Sequence, residues 1–161
     1  MNYRQFLDSL KTGKLKTVYL FYGEEQYMMD YALKSLKEEF IQESFETLNY
    51  IAIEGEEASF ERVLNACETL PFMSEKKIVV IKDMPVLTGK KDAQAAGIVD
   101  DATLAEYLLE LDNYIILVFI VKNKDVNKSN RVYKSISKVG DIVEFHRLKG
   151  RELNSWVESR V

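Results

Sequence analysis

Five short segments of this 161-residue chain are rich in β-branched and aromatic residues, a composition typical of β-strands. The predicted strands are residues 17–22, 48–53, 77–81, 114–121 and 142–145. The fourth of them, with the sequence YIILVFIV, is apolar on both faces. We expect such a run in a central parallel strand that helices cover on each side.

Apolar residues at helical spacing occupy the segments that precede and separate these strands. The predicted helices cover about 3–10, 24–41, 60–67, 102–111 and 132–136. Ser59 is the expected N-cap of the third helix, and Gly140 follows the end of the last. Pro85, Gly89 and Gly97 indicate a long exposed loop after the third strand. The alternation predicts an α/β fold with a parallel five-stranded sheet flanked by helices.

A last amphipathic segment breaks this alternation of strands and helices. Leu153, Trp156 and Val157 have helical spacing there and lie close to the end of the sequence. We therefore predict an α/β domain over residues 1–146 and the first helix of a truncated helical domain over residues 147–161. The chain is interpreted as a fragment of a longer protein.

The composition, 47% hydrophobic and 30% charged residues, is ordinary for a globular domain with a core of its own. Cys67 is the only cysteine, so no intramolecular disulfide can form, which favours a reducing compartment. The charged N-terminal residues are unlike a signal peptide, and no apolar run is long enough for a membrane-spanning helix. These features predict a cytoplasmic protein without a membrane partner.

The net charge of −4 argues against a domain that wraps nucleic acid unaided. The charge is uneven, because basic residues outnumber acidic ones from residue 122 to residue 151. A solvated face is the favoured interpretation of this stretch. The alternative is a surface that faces DNA, whose candidate residues are Lys122, Lys124, Lys128 and Arg131.

The turn after the first strand is where an α/β fold would hold a nucleotide. It contains Gly23, Glu24 and Glu25, but no further glycine and no Lys-Ser/Thr pair for phosphates and a metal. The two carboxylates would repel a phosphate at the start of the following helix. We therefore predict no nucleotide, no other cofactor and no catalytic residues at this turn.

No other pattern predicts catalysis or a metal site. His146 is the only histidine, so neither a histidine-based triad partner set nor a histidine-rich metal site can be assembled. The segment 81–89 superficially resembles the end of a response-regulator receiver domain. The acceptor aspartate of that family would fall at Ile81, so a receiver-like or degenerate nucleotide-binding signalling domain is only the alternative interpretation.

An apolar connector follows the predicted third helix. Leu70, Phe72 and Met73 flank or follow Pro71, which ends the helix before the next strand begins. On the sequence alone, large apolar residues here are expected to close one end of the core. The alternative is an exposed apolar segment that docks into a pocket of a partner.

Three segments together resemble the delta subunit family of the bacterial DNA polymerase III clamp loader. They are VYLFYGEE at residues 18–25, LPFMSEKKIVV at residues 70–80, and the LKGREL to Trp156 entry into a further helix at residues 148–156. The similarity covers essentially the whole chain in the order and spacing of its elements. It implies an ATPase-like α/β fold, similar to the AAA+ and RecA-like domains, that has lost its nucleotide site.

The resemblance also implies a function in DNA replication. In that family, the segment after the third helix inserts apolar side chains into a pocket of the sliding clamp, the beta subunit, so that the ring can open. The matching residues here are Leu70, Pro71, Phe72 and Met73, with Phe72 as the aromatic anchor; some members carry leucine at the position of Pro71. The other implied partners are the remaining loader subunits, held through a C-terminal region absent from this chain, and DNA in the assembled complex.

Overall fold

A computed structural model describes residues 1–88 and 101–146. The α-helices are α1 (Tyr3–Thr12), α2 (Gln26–Phe40), α3 (Glu46–Asn49), α4 (Phe60–Glu68), α5 (Asp101–Leu108) and α6 (Arg131–Val139). The strands are β1 (Val18–Gly23), β2 (Tyr50–Glu54), β3 (Lys77–Lys82), β4 (Ile115–Val121) and β5 (Asp141–Phe145). In these two stretches, no helix is both long enough and apolar enough to cross a membrane.

The five strands form one parallel sheet in the order β2-β3-β4-β1-β5. Every residue of β4 and of β1 is buried, because these strands lie inside the sheet and helices cover both of its faces. The predicted fold class is therefore confirmed. All strands run the same way, so their amino ends meet at one edge of the sheet and their carboxyl ends at the other.

The side chains of β1 alternate between two hydrophobic cores, as a strand period of two requires. Val18, Leu20 and Tyr22 face the core that α4, α5 and α6 complete. Tyr19 and Phe21 face the core built with α1 and α2. There Phe6 of α1 packs edge-on against both rings, at centroid distances of 5.2 and 4.9 Å, which fixes α1 on the sheet.

Several predicted boundaries are confirmed by their caps. The Ser59 side chain accepts a hydrogen bond from the Arg62 amide at 3.2 Å, as expected of the N-cap of α4. Gly140 is the C-cap of α6. The predicted domain boundary near residue 146 and the helix over residues 147–161 are not tested, since those last residues, like residues 89–100 of the predicted loop, lie outside the described part of the chain.

Other predictions need correction. Helix α2 begins at Gln26 rather than residue 24, which leaves two glutamates in the turn. Leu48 and Asn49, predicted as the start of β2, lie in the short helix α3, where Asn49 is fixed by contacts distant in sequence. Helix α5 begins at Asp101 and ends before the predicted Leu111. The predicted exposed loop begins instead with a short 3-10 turn, Pro85–Leu87, whose last side chain is buried in the core.

Gly23 ends β1 with a φ of 144°, which side-chain-bearing residues rarely adopt. A Cβ atom at this position would also overlap the carbonyl oxygen of Phe145 in the neighbouring strand β5. The close contact of the two strands at this edge therefore requires glycine.

We expect Gly23→Ala to lower the free energy of unfolding by about 2–4 kcal/mol, because it combines backbone strain with a clash against β5. Gly13→Ala is the matched control: its φ of 74° is also positive, but no atom lies within 4 Å of the added Cβ. The control should lose only about 1–2 kcal/mol. Urea unfolding measures both, and equal losses would contradict the clash with Phe145.

Candidate functional site

Residues 69–76, here called the 69–76 loop, connect α4 to β3 at the amino edge of the sheet. Leu70, Phe72 and Met73 expose 70%, 51% and 69% of their surface, while Pro71 is half-buried. The expectation that these residues close the core is therefore wrong. The loop instead presents three large apolar side chains to solvent.

The loop leaves α4 through a short capping arrangement. Thr69 donates twice to the carbonyl oxygen of Asn65, from its amide at 3.3 Å and from its hydroxyl at 2.8 Å. Pro71 has no amide hydrogen and cannot continue the helix. Met73 has a φ of 54°, in the left-handed region, so the backbone bends directly after Phe72.

Asn49 holds the backbone at Phe72 through both polar atoms of its side chain. Its Oδ1 accepts from the Phe72 amide at 2.6 Å, and its Nδ2 donates to the Phe72 carbonyl oxygen at 2.6 Å. Nδ2 also lies within donating distance of the Phe45 carbonyl oxygen, at 3.2 Å. The Phe45 ring meets the Phe72 ring edge-on at 5.6 Å, so the Phe72 side chain is supported on one side.

The second half of the loop is tied to two neighbouring segments. The Ser74 hydroxyl lies 2.8 Å from the carbonyl oxygen of Phe40 and 2.7 Å from that of Lys76; with one proton, it donates to one of them at a time. The ammonium group of Lys76 donates to the carbonyl oxygen of Asn113. These bonds attach the loop to the end of α2 and to the segment before β4.

Lys77, directly after the 69–76 loop, joins the two ends of the loop. Its side chain is buried, and its Nζ donates to the Thr69 carbonyl oxygen at 3.3 Å, which joins the first residue of the loop to the first residue of β3. Burial lowers the pKa of the Lys77 ammonium, and the nearby Cys67 opposes this only in part. A charged group in this position is therefore held at a cost to stability.

The lone cysteine lies beside the loop but is not reactive. Cys67 is buried at the end of α4, and burial raises the pKa of its thiol to about 12. Its carbonyl oxygen accepts from the Tyr114 hydroxyl at 3.1 Å. Cys67 therefore acts as a packing residue in this arrangement.

The opposite, carboxyl edge of the sheet contains the turn Gly23-Glu24-Glu25, where an α/β fold would hold a nucleotide. The Glu25 amide donates to the Phe145 carbonyl oxygen at 3.2 Å, so this amide is already bonded to β5. A cavity of about 150 Å³ lies beside it, below the roughly 300–1,000 Å³ of typical small-molecule pockets. Its lining residues are Gly23, Glu24, Lys124, Glu144 and His146. The carboxylates of Glu24 and Glu144 would repel a phosphate in this cavity, and Lys124 is the one lysine or arginine among the described residues that line it.

The receiver-like alternative requires an acceptor aspartate at position 81, at the end of the third strand. Ile81 is fully buried in β3, and Asp83 accepts a hydrogen bond from the Lys122 amide at 3.0 Å. Within residues 1–88 and 101–146, no three histidine, cysteine, aspartate or glutamate side chains are grouped to hold a metal ion.

The four candidate DNA-facing residues also lie beyond the carboxyl end of β4, away from the 69–76 loop. All four are exposed: Lys122, Lys124, Lys128 and Arg131. Only one acidic residue, Asp125, lies between them in the sequence. The structure thus separates the apolar candidate surface from the basic one by the length of the strands.

The sequence singles out the apolar residues Leu70, Phe72 and Met73 of the loop. It gives no sign of two residues, Asn49 and Lys77, that hold the loop in place. The sequence pattern predicts that Asn49 lies in a strand. Nothing in that pattern indicates that its side chain bonds to Phe72, 23 residues away. Lys77 is a charged residue at the start of an apolar strand, which is common at strand ends. Only the structure shows that its side chain is buried.

The architecture defines the chain as an α/β domain of the kind found in clamp-loader proteins. It superposes on a Bacillus subtilis DNA clamp loader delta protein with a TM-score of 0.84 at 22% identity, over 96% of this chain and 45% of that chain. A DNA polymerase III gamma subunit-related protein from Thermotoga maritima gives a TM-score of 0.56 at 14% identity, over 96% and 49% of the two chains.

The family model of the DNA polymerase III delta subunit matches residues 19–146, so the chain belongs to that family. A curated relative, the DNA polymerase III subunit delta of Bacillus subtilis (strain 168), is 24% identical over 144 residues. That match covers 89% of this chain and 41% of the relative, so the chain spans less than half the length of the relatives described here. The resemblance found in the sequence is confirmed.

We expect the stability of the protein relative to a Lys77→Met variant to rise with pH. Between the lowered pKa of the folded state and the ordinary value of 10.5, the unfolded chain binds more protons at Lys77 than the folded chain does. Raising the pH through that window deprotonates Lys77 in the folded wild type and so removes the cost of its buried charge. The free energy of unfolding of the wild type therefore rises relative to that of the variant, which has no such charge.

Urea unfolding of both proteins at a series of pH values measures this difference. Because each comparison is made at one pH, the titration of the tyrosines, present in both chains, cancels to a first approximation. Lys11→Met, at an exposed position of α1, is the matched control. A difference between wild type and Lys77→Met that stays flat with pH would contradict a buried, charged Lys77.

Proposed function

We propose that this chain is the arm of a bacterial DNA polymerase III clamp loader that binds and opens the sliding clamp. Membership of the delta subunit family supports the assignment. The observation that carries it is the exposed apolar side chain of Phe72 on a backbone held by Asn49. The contact residues are those of the 69–76 loop predicted from the sequence: Leu70, Pro71, Phe72 and Met73.

A loop that is held in place before binding favours a tight contact. Binding energy at interfaces concentrates in a few buried residues, among which aromatic side chains that fill a pocket are frequent. A loop that is fixed before binding loses little conformational entropy when it docks. Met73 is exposed, and the unbranched side chain of methionine can adapt to an irregular apolar surface, so it suits the rim of such a contact.

The binding energy of this contact can be used to open the clamp. When Phe72 fills an apolar pocket of the clamp, the contact can favour the clamp conformation in which one ring interface is weakened. The chain itself needs no chemistry for this step, and we propose no intrinsic enzymatic activity. Assembly with the other loader subunits is assigned to the C-terminal region that the longer relatives have.

We expect Phe72→Ala to weaken affinity for purified bacterial sliding clamp (beta subunit) by at least about tenfold, or 1.4 kcal/mol, as for a central aromatic anchor. Isothermal titration calorimetry or surface plasmon resonance measures it. Tyr27→Ala is the matched control, because Tyr27 is an aromatic residue with 57% exposure at the opposite edge of the sheet.

Two results would contradict the proposal. One is a loss below about 1 kcal/mol for Phe72→Ala with the fold intact, which would remove the anchor role. The other is a large rise in melting temperature on addition of ATP or a small phosphodonor, which would favour the nucleotide-binding or receiver-like alternative.

Contact of the basic residues with DNA is a separate proposal. The candidate residues are Lys122, Lys124, Lys128 and Arg131. If they face DNA in the assembled loader, each phosphate contact adds about −0.9 to the slope of the logarithm of DNA affinity against the logarithm of salt concentration. We expect joint replacement of the four residues by alanine to make that slope shallower by up to about 3.6. An unchanged slope would identify the stretch as a solvated face.

A further inference from the structure

The side chain of Asn49 is fully buried, which is unusual for a polar group beside an exposed loop. Its carboxamide forms a ring of two hydrogen bonds with the backbone of Phe72, each 2.6 Å long. The second Nδ2 hydrogen is directed to the Phe45 carbonyl oxygen, at 3.2 Å. One side chain thus joins α3, the turn before it and the 69–76 loop.

The contacts are specific for asparagine. The side chain must accept one hydrogen bond and donate two, and a carboxamide does both. An aspartate would keep the acceptor toward the Phe72 amide, but when ionised its other oxygen would face two carbonyl oxygens. Alanine would leave the Phe72 amide and carbonyl without partners beneath the loop, where unpaired polar groups are costly.

We propose that Asn49 is a positioning residue, which fixes the backbone of Phe72 so that the anchor side chain is presented to the partner before binding. The inference rests on the proposed function and deepens it. The adjoining Met73 has a φ of 54°, a conformation that needs support from its surroundings. Because Asn49 already orders the loop in the free protein, docking does not have to order it. The affinity is therefore not reduced by that loss of conformational entropy.

A purely structural role is the competing explanation, because loss of a buried amide also destabilises the fold. The two roles differ in what they change. A positioning residue changes partner affinity and local opening at Phe72 in a protein that is still fully folded. A merely structural residue lowers global stability and leaves the affinity of the folded fraction unchanged.

The chain offers a matched control in Asn130. Its Oδ1 accepts from the Val132 amide at 2.8 Å and its Nδ2 donates to Asp101 at 3.2 Å, so it too uses both polar atoms. It is the N-cap of α6, at the carboxyl edge of the sheet and away from the 69–76 loop. Asn130→Ala therefore removes comparable bonds without touching the loop.

The experiment compares Asn49→Ala, Asn49→Asp, Asn130→Ala and Phe72→Ala in affinity for purified bacterial sliding clamp, under conditions where urea titration shows each to be folded. We expect both Asn49 variants to lose about tenfold or more in affinity, and Asn130→Ala to stay within about twofold of the wild type. Hydrogen exchange should show the Phe72 amide opening faster in Asn49→Ala but not in Asn130→Ala.

The outcomes separate this inference from the proposed function. If Phe72→Ala weakens binding but the Asn49 variants bind like Asn130→Ala, Asn49 is structural and only the inference is overturned. If Phe72→Ala also leaves affinity unchanged, the clamp-binding assignment itself is overturned. Should neither Asn49 variant fold, exchange in the unsubstituted chain decides: a Phe72 amide that exchanges as fast as an exposed loop amide would overturn the inference.

Discussion

The parallel pairing of β2 with β3 is the constraint on which the candidate site depends. Tyr50 lies beside Ile78 in this pair, so the residues that precede the two strands emerge together at the amino edge of the sheet. Asn49 and the 69–76 loop therefore meet, although they are distant in the sequence. A shift of this register by one residue would move the carboxamide of Asn49 away from the backbone it bonds.

The same sheet explains why the two edges of the domain differ. In parallel α/β folds, ligands bind beyond the carboxyl ends of the strands. Here Gly23 lies close to Phe145 at that edge, and the small cavity beside them is lined in part by Glu24 and Glu144. The exposed apolar surface lies at the other edge, on a loop that leads into a strand. The loops at the two edges can differ in this way because they vary independently of the sheet that carries them.

Most of the fold could be predicted because its central strands are unambiguous. The apolar run of β4 and the β-branched start of β1 admit few other structures, and the caps at Ser59 and Gly140 mark their helices clearly. Prediction failed where contacts distant in sequence decide the local structure. Asn49 is helical rather than extended, and the buried Leu87 belongs to the core rather than to an exposed loop.

The candidate site was predicted only in part, for a similar reason. The apolar residues at 70–73 are visible in the sequence, but whether they close a core or face solvent depends on how the loop is held. The hydrogen bonds of Asn49, Ser74 and Lys77 decide this, and each involves a backbone group whose position no sequence pattern specifies. The residues alone favoured burial of this segment, whereas the resemblance to a family favoured exposure, and exposure is what the structure shows.

The backbone of the 69–76 loop has a consequence for how the protein behaves at high concentration. An exposed run of apolar residues in extended conformation would invite strand pairing with another copy and growth into aggregates. Pro71 offers no amide hydrogen for such pairing, and the left-handed Met73 bends the chain out of the extended form two residues later. The exposed apolar side chains of the loop are thus carried on a backbone that is a poor template for amyloid-like association.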